Sequence, residues 1–257
     1  MIEIRTKKRA IIIAIYFCVA AIFGWVVYYL FSTPATCMDR KMNQGEKGID
    51  CGGPCSPCKQ VEQALPLSIV EKAIAPGGRK TFDAVFRVQN PNPGLALSSF
   101  SYEIVLKDTS GKRIGSSSGS SYILPGEKKY VIAGGIKTDG TDQPVYMDVN
   151  LDELKWSSVG ESLRGVQITT HGLRYEKMQG TNGTEVQDII RNESDYTFDK
   201  VNIVVIVRNM EGKIIAANST EKNTVRPREE RDFRLTWPYD VGSDASHVEV
   251  EGYANIL

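Results

Sequence analysis

Beyond Cys58 the chain contains no cysteine, its 257 residues include only two histidines, and its 31 basic and 31 acidic side chains cancel. Each shortage removes a class of function. Without cysteine, the long region after residue 58 has neither a disulfide framework nor a thiol nucleophile. His171 and His247 stand alone, without a His-x-x-x-His pair, and read as surface or satisfied core residues rather than metal ligands. Arg5, Lys7, Lys8 and Arg9 face only Glu3 in the first 31 residues, which leaves 27 basic against 30 acidic residues thereafter. That balance supplies no basic footprint, so nucleic acid is not an expected partner. Long apolar runs are missing as well, with one exception near the N-terminus, and no helical stripe appears outside it.

The exception is Ala10 to Phe31, 22 residues without a charge. At about 1.5 Å per residue it spans the roughly 30 Å hydrocarbon core of a lipid bilayer. Trp25, Tyr28 and Tyr29 suit the aromatic belt, and the Arg5-Thr-Lys-Lys-Arg9 cluster marks the other end as cytoplasmic. A cleaved signal peptide fits less well, since its apolar region is usually about 7–15 residues. A lipoprotein ending at Cys37 also fits less well, because Pro34 stands where an aliphatic residue is usual. The expected plan is therefore a cytoplasmic tail at 1–9, a membrane helix at 10–31, a juxtamembrane segment at 32–60 and the bulk of the chain outside the cytoplasm.

Cys18 lies within the apolar run, and the other four cysteines are spaced Cys37-x13-Cys51-x3-Cys55-x2-Cys58. Their segment holds Gly45, Gly48, Gly52, Gly53, Pro54 and Pro57, too little apolar material for a core of its own, so it needs staples. Two disulfides in one of three connectivities, a tetrahedral zinc, or a redox-active Cys55-Ser-Pro-Cys58 could supply or use these thiols. A position outside the membrane favours disulfides, with no metal or cofactor. Asp39, Glu46 and Asp50 offer oxygens to calcium, but a solvated turn is the simpler reading. The run Cys37 to Cys58, with Asn43, Gly45-Glu46 and Asp50-Cys-Gly-Gly-Pro-Cys55, resembles a short cysteine-rich motif of prokaryotic secreted and surface proteins. That resemblance implies an extracytoplasmic stalk or linker without settled activity.

The remainder is written twice. Asn90, Gly111, Pro125 and Val131 recur as Asn192, Gly212, Pro227 and Phe233, at spacings of 102, 101, 102 and 102 residues. A repeat of that length is a domain. Period-two alternation at Phe82, Ala84, Phe86 and Val88, and at Tyr102, Ile104 and Leu106, predicts strands with one wet face. Asn90-Pro-Asn-Pro-Gly94 and Asp108-Thr-Ser-Gly111 carry turn chemistry. The second copy repeats the scheme through Val201–Val207, Asn209-Met-Glu-Gly212 and Phe233–Trp237. The expected fold class is all-β: two tandem β-sandwiches at 61–160 and 161–257, of about seven strands each, after one N-terminal transmembrane helix.

Val88-Gln-Asn90-Pro-Asn92, the Gly111 turn and Leu124-Pro-Gly126 make the first module similar to the immunoglobulin-like domain of the water-stress, late-embryogenesis-abundant (WHy) type. Ile190-Arg-Asn192-Glu-Ser194, Val201 and Gly212-Lys213 make the second resemble the FxLyD type of prokaryotic surface domain. Where that family carries Phe-x-Leu-Tyr-Asp, this chain has Ile203-Val-Val-Ile-Val207, and Arg228 stands where a glycine usually follows the proline. The resemblance implies noncatalytic extracellular modules.

No catalytic constellation is expected. Gly115-Ser-Ser-Ser-Gly119 matches a nucleophile elbow in letters only, because that motif needs a strand-to-helix turn. The mixed run Arg226 to Asp232 reads as a solvated turn. Asn182, Asn192 and Asn218 head Asn-x-Ser/Thr sequons and are candidate glycan acceptors. The sequence thus points to a single-pass protein that presents two duplicated sandwiches to a protein partner, with the loops Asn90–Leu97 and Asp195–Asp199 as candidate contacts. The competing readings are a membrane-tethered thiol oxidoreductase acting through Cys55 and Cys58 and an accessory subunit of a membrane complex.

Overall fold

The computed structural model describes residues 2–31, 37–39, 41–58, 64–78, 80–139, 143–159, 167–242 and 245–255. The chain divides into two compact units, Met1–Cys37 and Met38–Leu257. The first contains one helix, α1 (Ile2–Phe31). Its side chains from Ile12 to Tyr28 are all exposed, so this stretch has no buried stripe and is apolar on every side. No helix among the described residues is long and apolar enough to cross a membrane. The span expected at 10–31 from sequence is thus a helix, but among the described residues not one with the length and apolarity of a membrane crossing.

The second unit holds twelve described strands: β1 (Ser68–Gly78), β2 (Thr81–Gln89), β3 (Leu95–Lys107), β4 (Arg113–Ile123), β5 (Lys128–Lys137), β6 (Tyr146–Ser158), β7 (Ile168–Lys177), β8 (Thr184–Asn192), β9 (Phe198–Asn209), β10 (Ile214–Val225), β11 (Glu230–Trp237) and β12 (Ala245–Ala254). They form four antiparallel three-stranded sheets, β1-β2-β5, β4-β3-β6, β7-β8-β11 and β10-β9-β12. Adding six to each strand number of the first pair of sheets gives the second pair in the same order, so the sequence repeat is a topological one. The first pair encloses a core that includes Phe86, Leu97, Phe100, Ile104 and Ile123. The second encloses Ile190, Phe198, Val205, Phe233 and Trp237. Each sandwich has six described strands where about seven were expected. Strand length accounts for the difference, since long strands such as β3 and β6, 13 residues each, use up chain that shorter ones would divide.

The repeated polar residues close the same turns in both copies. Asn90, fully buried, donates from Nδ2 to the carbonyls of Leu95 (2.7 Å) and Leu124 (2.9 Å) and accepts the Asn92 N–H on Oδ1 (3.0 Å). Asn192, also fully buried, donates to the carbonyls of Tyr196 (2.6 Å) and Arg226 (3.0 Å) and accepts the Ser194 N–H (2.9 Å). A short amide side chain is required because it satisfies strand-end carbonyls that water cannot reach. Asp108 and Asn209 likewise take the backbone N–H groups two and four residues on, and Gly111 and Gly212 sit at φ 82° and 78°, a conformation that glycine adopts at little cost.

The cysteine-rich segment is docked rather than free. Ile49 N–H donates to the Ser158 carbonyl at 3.2 Å, and Ile49 packs with Ala96 and Val159 in a small buried cluster at one end of the first sandwich. Nearby, Asn92 pairs in both directions with the backbone of Leu65 at 2.8 and 2.9 Å.

Candidate functional site

Two strands break the alternation expected of a sheet with one wet face. In β2, Ala84, Val85 and Phe86 are all fully buried. In β9, Val204 and Ile206 are nearly as buried as Ile203, Val205 and Val207, which face the core of the second sandwich. A strand that is apolar on both faces is covered on both faces. Val85 of β2, Tyr130 of β5 and Ala73 of β1 meet Val204, Ile206, Ala217 and Tyr253 in a third buried cluster. The outer face of sheet β1-β2-β5 is thus packed against the outer face of sheet β10-β9-β12.

Charged groups ring this patch. Arg208 of β9 forks onto Glu71 of β1 at 2.6 and 3.0 Å, reaches Glu249 of β12 at 2.6 Å and donates to the Tyr130 hydroxyl at 2.6 Å. The Tyr130 hydroxyl donates in turn to Glu71 at 2.9 Å. Arg87 of β2 pairs with Glu251 of β12 at 2.8 Å and lies 4.5 Å over the Tyr130 ring. Tyr253 donates to Glu251 and accepts the Tyr130 N–H at 3.0 Å, while the Tyr122 hydroxyl donates to the Tyr253 carbonyl at 3.0 Å. Bidentate, partly desolvated pairs of this kind are stronger than exposed ones. The Arg208 hydrogen bonds hold the Glu71 carboxyl below its ordinary value, against a smaller opposing effect of burial.

Lys129 is the unusual member. It is 2 % exposed, its Nζ lies 3.0 Å from the centroid of the Tyr122 ring, and that nitrogen has no hydrogen-bond partner among the described residues. Burial pushes the ammonium well below its ordinary range, opposed by the charge of Glu127, whose own carboxyl burial pushes up. Beside it lies a cavity of about 160 Å³ between the sandwiches.

The residues singled out from sequence fall elsewhere. Cys51 and Cys58 form a disulfide with Cα atoms 4.8 Å apart, and Cys37 and Cys55 are also disulfide-bonded. The Cys51–Cys58 bond separates the two cysteines of Cys55-Ser-Pro-Cys58, which a redox dithiol would pair with each other. Asp39 accepts the Lys41 N–H and the Asn43 amide, and Glu46 accepts the N–H groups of Asn43 and Asp50, so both serve the loop itself. Asn182 is exposed, Asn218 is half-buried with its amide on the Thr236 carbonyl, and Asn192 is the buried turn residue described above. His171 and His247 lie 3.7 and 3.8 Å from Glu230 and Glu249. Gly115 to Gly119 lies within β4, not on a strand-to-helix turn. Of the two candidate contact loops, Asn90–Leu97 is largely buried, with Asn92 held by Leu65 and Ala96 covered by Ile49, whereas Asp195, Thr197 and Asp199 are exposed. Sequence reasoning missed the junction. Its signal was the unbroken run Ile203-Val-Val-Ile-Val207, which is a two-faced strand.

No family model matches the chain, and no curated protein does. Among solved structures, the chain is similar to red sea bream transglutaminase (11 % identity over 77 % of this chain and 30 % of that one, TM-score 0.23). It is also similar to the calcium-binding domain CBD12 of CALX1.1 (13 %, 65 % and 75 %, TM-score 0.20). A third is the CBM22-1–CBM22-2 tandem of Paenibacillus barcinonensis Xyn10C (9 %, 76 % and 92 %, TM-score 0.17). The chain spans about 30 % of the length of the transglutaminase it matches. At these scores the likenesses carry no functional argument.

Proposed function

We propose that this chain is a single-pass, membrane-anchored protein whose two β-sandwiches, immunoglobulin-like in kind, stand outside the cytoplasm and are presented to a protein partner as one body. The observation that carries the reading is the oxidised cysteine-rich segment that precedes the first sandwich. Disulfides persist in oxidising compartments and are rare in the cytosol. The stretch of α1 from Ile12 to Tyr28 supports it, because a segment apolar on every side is suited to lipid, where the backbone must bond internally. Arg5 to Arg9 then orient the N-terminus inward. Binding through sheet edges suits the exposed Val145 and Tyr146 where β6 begins and Leu173 on β7.

Intact mass of the full chain purified without reductant tests the reading. The expected mass is about four hydrogens below the fully reduced value, with only Cys18 alkylated after denaturation. Free thiols among Cys37, Cys51, Cys55 and Cys58, or stoichiometric zinc, would overturn it.

A further inference from the structure

The repeat lets the junction be compared with its own counterparts. It joins the outer face of sheet β1-β2-β5 to the outer face of sheet β10-β9-β12. The counterpart of the first is the outer face of β7-β8-β11, and the counterpart of the second is that of β4-β3-β6. Across the middle of the junction, sheet β1-β2-β5 presents the row Ala73, Val85 and Ile132. The same row of β7-β8-β11 reads Arg174, Gln187 and Arg234. On the other side of the junction, Val204 and Ile206 of β9 and Ala217 of β10 form the patch. At their places in β4-β3-β6 stand Glu103, Val105 and Ser116. Val105 alone stays apolar, and at 8 % exposure it offers a partner little surface.

The polar anchors are rewritten in the same way. Arg208–Glu71 and Arg87–Glu251 cross from one sandwich to the other. Their counterparts on the free faces are Lys107 with His171 and Ile189 with Asn150. The first pair contains no anion and the second no charge, so neither could join two sandwiches. The charges of the free faces pair within their own face instead: Lys107 with Asp148, Arg113 with Glu103 and Arg234 with Glu185. A sandwich stacked on either face would strip water from these pairs and give them no new partner, which is unfavourable. In arrays of repeats a polar outer face is what ends the stack.

We infer that the two sandwiches recognise each other through one specific pair of faces and that the free counterparts of those faces are caps. The chain thereby ends its own stack at two modules and excludes a third, including one from a second copy of itself. The inference does not depend on where the membrane lies.

The test writes the junction's residues onto the free faces of two full-length variants. In one, β7-β8-β11 receives Arg174→Ala, Gln187→Val, Arg234→Ile, His171→Glu, Ile189→Arg and Asp232→Tyr. In the other, β4-β3-β6 receives Glu103→Val, Lys107→Arg, Ser116→Ala, Asp148→Glu and Asn150→Glu. The labelled variants are titrated against each other in detergent micelles by fluorescence energy transfer, and circular dichroism checks their fold. The signal is read above that of a wild-type pair, so any association through α1, common to all chains, cancels. A saturable one-to-one complex is expected from the two variants together and from neither mixed with wild type. Leaving Lys107 and His171 unchanged should weaken it about tenfold or more, which an unspecific apolar contact would not show. Folded variants that fail to associate would overturn the inference. Should either set fail to fold, the wild type decides. Association between wild-type chains that is abolished by Asn150→Trp, at an exposed position of the free face, would overturn the caps, and wild-type association unaffected by it is the expected result.

Discussion

Asn90 and Asn192 show how one residue type sets a turn twice. Each is buried with its amide spread over strand-end carbonyls. Replacing either with Ala removes at least three hydrogen bonds and strands buried carbonyls. Asn90→Ala and Asn192→Ala should therefore each cost about 3 kcal/mol in denaturant unfolding. Asn218→Ala, whose amide bond is exposed, should stay within about 0.5 kcal/mol. Similar losses from all three would refute the distinction. The same geometry bears on glycosylation: in a host with the machinery, glycopeptide mapping should find sugar on Asn182 and none on Asn192, whose Nδ2 is engaged in the core.

At the scale of the element, β2 and β9 explain what was legible and what was not. The repeat, the Asn and Gly turns and the alternating strands could be read directly, because a turn's φ and a strand's wet face are local demands. The junction was not readable, because the identity of what covers a second apolar face is a tertiary fact, although Val85 and the run through Ile206 announced that something does. Arg208, 14 % exposed, ties β9 to β1, β5 and β12. Arg208→Met should destabilise by about 2 kcal/mol, since it removes the charged donor shared by the partly buried Glu71 and Glu249, and a double-mutant cycle with Glu71→Gln should show coupling. The sign of the pH dependence follows from Glu71. Its folded value lies below its ordinary 4.5, so its contribution is complete above about pH 4.5 and is lost as pH falls through the folded value. The stability gap between the wild type and Glu71→Gln should therefore shrink on acidification. A gap that widens would contradict the ion pair.

For the whole molecule, a shared buried cluster means that neither sandwich is an independent bead. Calorimetry should record one cooperative transition for both, and residues 167–255 alone, with Val204, Ile206 and Tyr253 uncovered, should self-associate. Two separated transitions would mean that the junction is weak. The cysteine-rich segment extends the same body, since Ile49 fastens it to the first sandwich. A partner would then meet a rigid pair of sandwiches rather than a flexible string.

On the proposed topology this body stands outside the cytoplasm while the N-terminus stays within. Sealed, right-side-out vesicles of the cytoplasmic membrane, treated with a membrane-impermeant amine reagent and mapped by peptide mass spectrometry, test it directly. Exposed Lys112, Lys200 and Lys213 should be modified in intact vesicles, and Lys7 and Lys8 only after permeabilisation. Modification of Lys7 and Lys8 first, with the sandwich lysines protected, would contradict that topology.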